Sequence, residues 1–253
     1  MVSCRFVGAL LVASFSALTA AAQADTAPAG TLVYHFSYNA TQNISARDSN
    51  ENVENTDSNG NFTSTNNNGI SHYGGTLNDK GTMTVNIVKK QADGALVVMI
   101  SEQGETIRRA SPAECVVYGN THVICDPNKT VYTEEYTLLR FLAANFVDPS
   151  ELDANKHWQI VQDVNNDHIT ADYVIDSNNN GAMQIGEKRT ITEKGPGRLT
   201  TDVNTKIGYD FTRTVPTSVD EYAQQYTDAG IKGSQRTIYQ TTLQLISDTT
   251  AKT

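Results

Sequence analysis

The chain lacks the features that binding to nucleic acid, to an anionic membrane surface or to zinc would require. It has 19 Lys and Arg against 28 Asp and Glu, so its formal net charge is −9, whereas phosphate-rich partners call for a basic surface. Its five histidines form neither a His-x-x-x-His pair nor a His-Glu-x-x-His motif, so their spacing does not support a zinc site. No Gly-x-Ser-x-Gly elbow occurs, which argues against a serine hydrolase of that design.

Long apolar runs are also missing after the N-terminal segment, so we expect no transmembrane segment in the rest of the chain. At the N-terminus, Arg5 precedes an apolar stretch over 6–18, and Ala-Gln-Ala at 22–24 supplies the small residues that a signal peptidase requires. These features predict a signal peptide over 1–24, cleaved before Asp25. The mature chain is therefore expected to be exported, either to a periplasm or to the extracellular medium.

Cysteine is scarce, because only Cys115 and Cys125 lie beyond the predicted signal peptide. An even pair in an oxidising compartment indicates a disulfide. A three-residue turn at 119–121 would put the two cysteines opposite each other in a hairpin. We therefore predict that a disulfide staples the hairpin over 115–125. A redox-active pair is the alternative, although the Cys-x-x-Cys spacing of such pairs is absent.

Alternation of apolar and polar residues with a period of two is the dominant pattern of the chain. Even positions over 32–38 are all apolar, and the continuous apolar run over 95–100 predicts a strand covered on both faces. Residues 199–211 alternate without a miss, which corresponds to roughly 40 Å of strand. Strands of that length are typical of curled sheets and open barrels. Further strands are predicted at 83–87, 158–160, 169–175, 182–193 and 239–245.

Two segments change to the helical period. Thr133 can cap a helix over 134–147 whose apolar stripe would cover a face of the sheet. Ser218 and Glu221 have capping-box spacing before a second short helix over 219–229. We therefore expect one longer helix and one shorter helix against the sheet.

Residues 43–69 are crowded with Asn, Ser, Asp, Thr and Gly. Such a composition buries too little apolar surface to offset the entropy of ordering. It predicts a mobile Asn-rich insertion between the first and second strands. This insertion is either a disordered segment or a loop that covers a binding cleft.

Together these patterns predict a fold that is mainly β with minor α, formed by a single domain over 25–253. We expect a strongly bent antiparallel sheet, an open or half barrel, in which consecutive strands are neighbours. The helices over 134–147 and 219–229 would pack against it.

One stretch, over 176–187, matches the calcium-loop pattern D-x-[DN]-x-[DN]-G-x5-E and resembles an EF-hand loop over twelve positions. Both flanks alternate like strands, so the alternative is a hairpin with a type I′ turn at Asn180-Gly181. In that hairpin Asp176 would lie opposite Ile185 and share a face with Glu187. The candidate metal ligands are Asp176, Asn178, Asn180, Ala182 and Glu187, and calcium is the candidate cofactor.

The leading functional hypothesis is an exported, non-catalytic binding module that holds an apolar or amphipathic small molecule or lipid in the concavity of its curved sheet. The alternative is a structural or interaction protein of the cell envelope with a protein partner there, in which calcium tunes the contacts. A hydrolase whose carboxylates are assembled from distant positions is the third hypothesis. It requires two facing carboxylates in a cleft, at least one with a strongly raised pKa.

Overall fold

The computed structural model describes residues 30–47, 66–67, 70–106, 112–118, 122–142, 156–164, 166–193, 199–228 and 233–250. The predicted signal peptide over 1–24 and most of the Asn-rich segment lie outside these residues. In the described part, no helix is both long and apolar enough to cross a membrane.

The described residues form twelve strands and one helix. In chain order they are β1 (Gly30–Arg47), β2 (Asn66–Asn67), β3 (Ile70–Lys90), β4 (Leu96–Gly104), β5 (Ala113–Val117), β6 (Val123–Cys125), α1 (Thr133–Leu139), β7 (His157–Val164), β8 (Asp167–Asn179), β9 (Ala182–Glu193), β10 (Leu199–Asp210), β11 (Val215–Asp228) and β12 (Gly233–Asp248).

All strands belong to one curved, open antiparallel sheet, which confirms the predicted fold class. The order across the sheet is β6-β5-β4-β3-β1-β12-β11-β10-β9-β8-β7, and the two-residue β2 pairs with β3 beside this path. The order is a meander in each half, and the first and last strands meet in the middle. Since β6 and β7 lie at opposite ends of this order, the chain between them must cross the sheet. Helix α1 lies in that crossing segment.

The predicted alternation decides which face of each strand is buried. In β1, Leu32 and Tyr34 are fully buried and Phe36 is 3% exposed, whereas His35 and Ser37 on either side of Phe36 are exposed. The burial of apolar surface is the main favourable term in folding, so this face becomes the inner, concave face of the sheet. The outer face carries the polar residues.

Strand register arranges the inner face in rows that run across the sheet, because residues paired across an antiparallel ladder point to the same side. We call one of these the apolar row, since it contains only buried apolar side chains. Its members are Phe36, Leu243, Val219, Ile207, Ile185 and Ile175.

The second predicted helix, over 219–229, is wrong, because this segment belongs to strand β11. Val219, Glu221 and Ala223 are buried at every second position, while Tyr222 and Tyr226 are exposed. The apolar residues at helical spacing therefore include two tyrosines of the outer face. The inner position between Val219 and Ala223 is occupied by a charged residue, which interrupts the apolar alternation in the sequence.

The predicted helix over 134–147 is confirmed in place but not in length, since α1 ends at Leu139. The N-cap is Tyr132 rather than the predicted Thr133, and its backbone N–H donates to the Glu135 carboxylate at 2.7 Å. Phe141 N–H donates to Leu138, three residues back, so the last turn is tighter than an α-helix. Residues 143–147 lie outside the described residues.

The predicted insertion over 43–69 begins too early, because β1 continues to Arg47 and pairs on both sides along its length. Backbone hydrogen bonds to two neighbouring strands stabilise this polar segment, a contribution that side-chain composition does not reveal. Mobility of the remaining residues of the insertion stays a prediction.

The predicted disulfide hairpin is confirmed. Cys115 of β5 lies directly opposite Cys125 of β6, and the two are bonded. The Tyr118 N–H donates to the His122 carbonyl at 2.8 Å, and the predicted turn residues 119–121 lie outside the described residues. A structural disulfide fits an exported protein.

We predict that the Cys115→Ala/Cys125→Ala double variant loses about 2–3 kcal/mol of unfolding free energy, because the bridge closes a short loop in the unfolded chain. Urea unfolding of the wild type with and without reductant measures this loss. Reductant should leave the double variant unchanged. Equal stability of the oxidised wild type and the double variant would contradict a structural role for the bridge.

Candidate functional site

A row of mostly polar side chains lies beside the apolar row on the inner face. We call it the polar row, and strand register places its members side by side across eight strands. They are Trp158, Tyr173, Glu187, Thr205, Glu221, Thr241, Tyr38 and Asp79. Each of these residues is at most 7% exposed. Polar groups so deeply buried must be paired with one another or with a partner.

Arg140, just after α1, enters the polar row and pairs with two carboxylates. Its Nη1 lies 3.0 Å from Glu187 Oε1, and its Nη2 donates to Glu221 Oε2. Glu187 belongs to β9 and Glu221 to β11, so one guanidinium ties the crossing segment to two strands. The Arg140 side chain is 9% exposed, and those of its partners are 0% and 4% exposed.

Hydroxyl groups complete the cluster. Tyr173 donates to Glu187 at 2.8 Å, and Thr137 of α1 donates to Glu221 at 2.9 Å. Thr205, on the strand between the two glutamates, has its hydroxyl 2.5 Å from Glu187 Oε2 and 3.3 Å from Glu221 Oε2. Trp158 stacks on the Tyr173 ring with centroids 4.9 Å apart. The carboxylates are therefore hydrogen-bonded on several sides, as buried charges require.

The surroundings keep Glu187 ionised. Burial raises the pKa of this carboxyl group. The charges of Arg140 and Arg189 and the hydrogen bonds from Thr205 and Tyr173 lower the pKa by more than burial raises it, and the net pKa is about 2. At neutral pH Glu187 consequently has no proton to donate. A general acid needs the opposite shift, so Glu187 does not meet the requirement set for the hydrolase hypothesis.

Arg189 lies two residues beyond Glu187 on the same face of β9. Its side chain is 11% exposed and its Nε lies 3.9 Å from Glu187 Oε1, which is too far for a hydrogen bond. The Nε is buried without a hydrogen-bond partner, and the same is true of Thr241 Oγ1 in the polar row. Burial, followed by the charge of Arg140, lowers the pKa of Arg189. The inner face thus contains polar atoms that the described residues leave unsatisfied.

The predicted calcium ligands are distributed over both faces of a hairpin. Asn180 and Gly181 form its turn with φ of 54° and 92°, the left-handed values of the predicted type I′ turn. Asp176 is exposed, whereas Glu187 is buried in the polar row. Asn178 Oδ1 accepts the Gly181 N–H at 3.1 Å and so stabilises the turn. Ala182, the remaining candidate, is the first residue of β9.

A bulge explains why Asp176 and Glu187 are separated. Ile175, not Asp176, lies opposite Ile185, because the register shifts between Ile175 and Ser177. The predicted pairing of Asp176 with Ile185 is therefore wrong, and one extra residue moves Asp176 to the other face. Among the described residues, no three His, Cys, Asp or Glu side chains are grouped so as to hold a metal ion. Calcium binding at this loop stays a prediction, and it would require Glu187 to leave Arg140.

The central residues of the cluster are not among the predicted site residues, apart from Glu187. Arg140 interrupts an apolar run over 138–142, and Glu221 follows Val219 in the buried phase of its strand. A charged residue in phase with buried neighbours is the signal that could have identified both. The signal does not reveal that they meet, because 81 positions separate them in the chain.

We predict that Arg140→Met lowers the unfolding free energy by about 3–5 kcal/mol, because it leaves two buried carboxylates unpaired. Urea unfolding measures the loss, with Arg236→Met at an exposed arginine as the control. Adding Glu187→Gln and Glu221→Gln to the Arg140 variant should restore a large part of the stability. A loss no greater than that of the control would show that the ion pairs are not structural.

Stability should also depend on pH through Glu187. Its folded pKa of about 2 lies below its ordinary value of 4.5, so its contribution is complete above pH 4.5 and is lost as the pH falls towards 2. Unfolding free energies measured across this range should fall less steeply in Glu187→Gln than in the wild type. Glu114→Gln, at an exposed position, is the control. Identical slopes for all three proteins would contradict this assignment.

Comparison with known proteins adds a loose structural likeness. No known protein-family profile matches the sequence, and no curated protein matches it. A solved structure described as lipid-protein interactions in lipovitellin is similar over 88% of this chain and 26% of its own, with 12% identity and a TM-score of 0.39. The chain thus spans about a quarter of that protein, and the likeness is too loose to carry an argument about function.

Proposed function

We propose that the protein is an exported, non-catalytic binding module that holds an apolar or amphipathic ligand against the concave face of its sheet. One observation carries the proposal: this face has apolar side chains beside the polar row, and it contains two buried polar atoms, Arg189 Nε and Thr241 Oγ1, for which the described residues provide no hydrogen-bond partner. Protein interiors rarely leave such atoms unsatisfied. A few placed polar groups within an apolar lining are typical of small-molecule sites.

The layout of the face suits an amphipathic molecule. The apolar row offers six adjacent buried aliphatic or aromatic side chains, and the polar row runs parallel to it. A ligand with an oily part and a polar part could match both at once. Helix α1 is about 10 Å long, from seven residues at 1.5 Å each. It is anchored over the polar row by Arg140 and Thr137, while the sheet extends over eleven strands.

A structural or interaction role receives less support. The exposed large apolar residues of the described chain are Leu77, Val88, Ile124, Tyr136, Val161, Val174, Tyr222, Tyr226 and Ile246. They lie on α1 and on β3, β6, β7, β8, β11 and β12, and none is the register partner of another. Apolar residues scattered singly over a surface need no partner to explain them. The binding hypothesis is therefore the one that we carry forward.

Trp158 provides the test, because it is the single tryptophan of the chain and is 4% exposed on the inner face. We predict that bromoundecane quenches its fluorescence saturably, since bromine quenches an indole ring at short range. Undecane of equal length should compete with it, and aqueous acrylamide should quench little. Native mass spectrometry of the same samples should show one molecule of bromoundecane bound to each protein molecule. No quenching by bromoundecane together with no bound mass would refute the proposal.

A further inference from the structure

Arg189 is placed among apolar side chains on the inner face. Its register partners are Ala171 on β8 and Val203 on β10, which are 1% and 3% exposed. Along its own strand the next residue on this face towards the turn is Glu187. No hydrogen-bond acceptor side chain therefore lies directly beside Arg189 on either neighbouring strand.

Arg189 Nε lacks a hydrogen bond to the described residues, although the guanidinium has a counter-charge nearby. A guanidinium has five N–H donors, and none of the described residues places an acceptor within reach of the buried Nε of Arg189. Its one carboxylate neighbour within 4 Å among the described residues is Glu187, at 3.9 Å, and Glu187 is already bonded to Arg140, Tyr173 and Thr205. An unsatisfied buried donor costs about 1–3 kcal/mol, and more when it is charged.

The charges of the cluster sum to zero without any ligand. Arg140 and Arg189 carry two positive charges, and Glu187 and Glu221 carry two negative ones. An added carboxylate or phosphate would leave the buried cluster with a net negative charge, which is costly in a low-dielectric interior. An uncharged oxygen acceptor would supply the missing hydrogen bond without that cost.

We propose that Arg189 binds the carbonyl oxygen of an acylated, uncharged polar group, such as an ester, in an amphipathic ligand. The inference rests on the proposed function and narrows its ligand class to neutral acyl esters or amides. The acyl chain would lie along the row of Arg189 on the inner face, whose members on the neighbouring strands are Ala171, Val203, Ala223, Tyr239 and Ala40. Arg189 recognises the carbonyl group of the ligand, and the apolar side chains bind the acyl chain of the ligand.

Three probes of equal chain length separate these contributions: bromoundecane, terminally brominated undecanoic acid, and the methyl ester of that acid. Quenching of Trp158 gives the affinity of each. In Arg189→Met the ratio of ester affinity to hydrocarbon affinity should fall about ten-fold, as expected for one hydrogen bond from a charged donor. The hydrocarbon should bind both proteins equally. Arg236→Met, at an exposed arginine, should keep the wild-type ratio.

Arg189→Lys keeps the charge of the cluster, so the ratio of ester affinity to hydrocarbon affinity should fall less than in Arg189→Met. This variant provides a second measurement if Arg189→Met does not fold. An unchanged ester-to-hydrocarbon ratio in the variants would overturn the role of Arg189 while leaving the binding module intact. Tighter binding of the ionised acid than of the ester by wild type would overturn the choice of a neutral head. Failure of all three probes to bind wild type would overturn the proposed function and this inference together.

Discussion

The ion pairs of Arg140 with Glu187 and Glu221 attach the segment that contains α1 to strands β9 and β11 of the sheet. The chain must cross the sheet between β6 and β7, and the helical segment there also buries Leu138, Leu139, Phe141 and Leu142 in the core. Two charged hydrogen bonds to strands β9 and β11 supply a directional attachment that apolar contact cannot. Because removal of Arg140 would leave both glutamates buried without this guanidinium, the position of α1 and the burial of the two carboxylates depend on the same contact.

How far the fold could be predicted follows from which residues occupy the inner face. Over 32–40 of β1 and in β10 the inner positions are apolar residues or threonine, and period-two alternation identifies these strands directly. In β11 the inner position 221 is a glutamate, which interrupts the period-two alternation. Tyr222 and Tyr226 lie on the outer face, and together with Val219 they form an apolar pattern at helical spacing. Local pattern then indicates a helix, and pairing with β10 and β12 on both sides overrides it. The same residue that misleads the prediction belongs to the candidate site.

The candidate site could not be predicted because it depends on register, which local sequence specifies poorly. Glu187 meets Thr205, and Thr205 meets Glu221, only because three strands pair in one alignment. A single bulge at Asp176 changes which side chains of β8 share a face with Glu187. The calcium-loop pattern over 176–187 assumes that the chain itself brings its ends together. The sheet instead recruits Glu187 to partners 14, 18 and 47 positions away.

A purely structural account of the cluster meets an energetic difficulty. Replacing buried ion pairs by apolar residues of similar size is often neutral or stabilising, so stability alone does not explain two arginines and two glutamates under a short helix. Specific placement of α1 accounts for Arg140 and the two glutamates, because charged hydrogen bonds fix orientation. It does not account for Arg189, whose buried Nε donates no hydrogen bond to any of the described residues. Within the described residues its remaining contribution is charge balance, and a methionine at 189 with a glutamine at 187 would provide neutrality too. An acceptor from outside the chain is the partner that makes a guanidinium at this position preferable to that neutral pair.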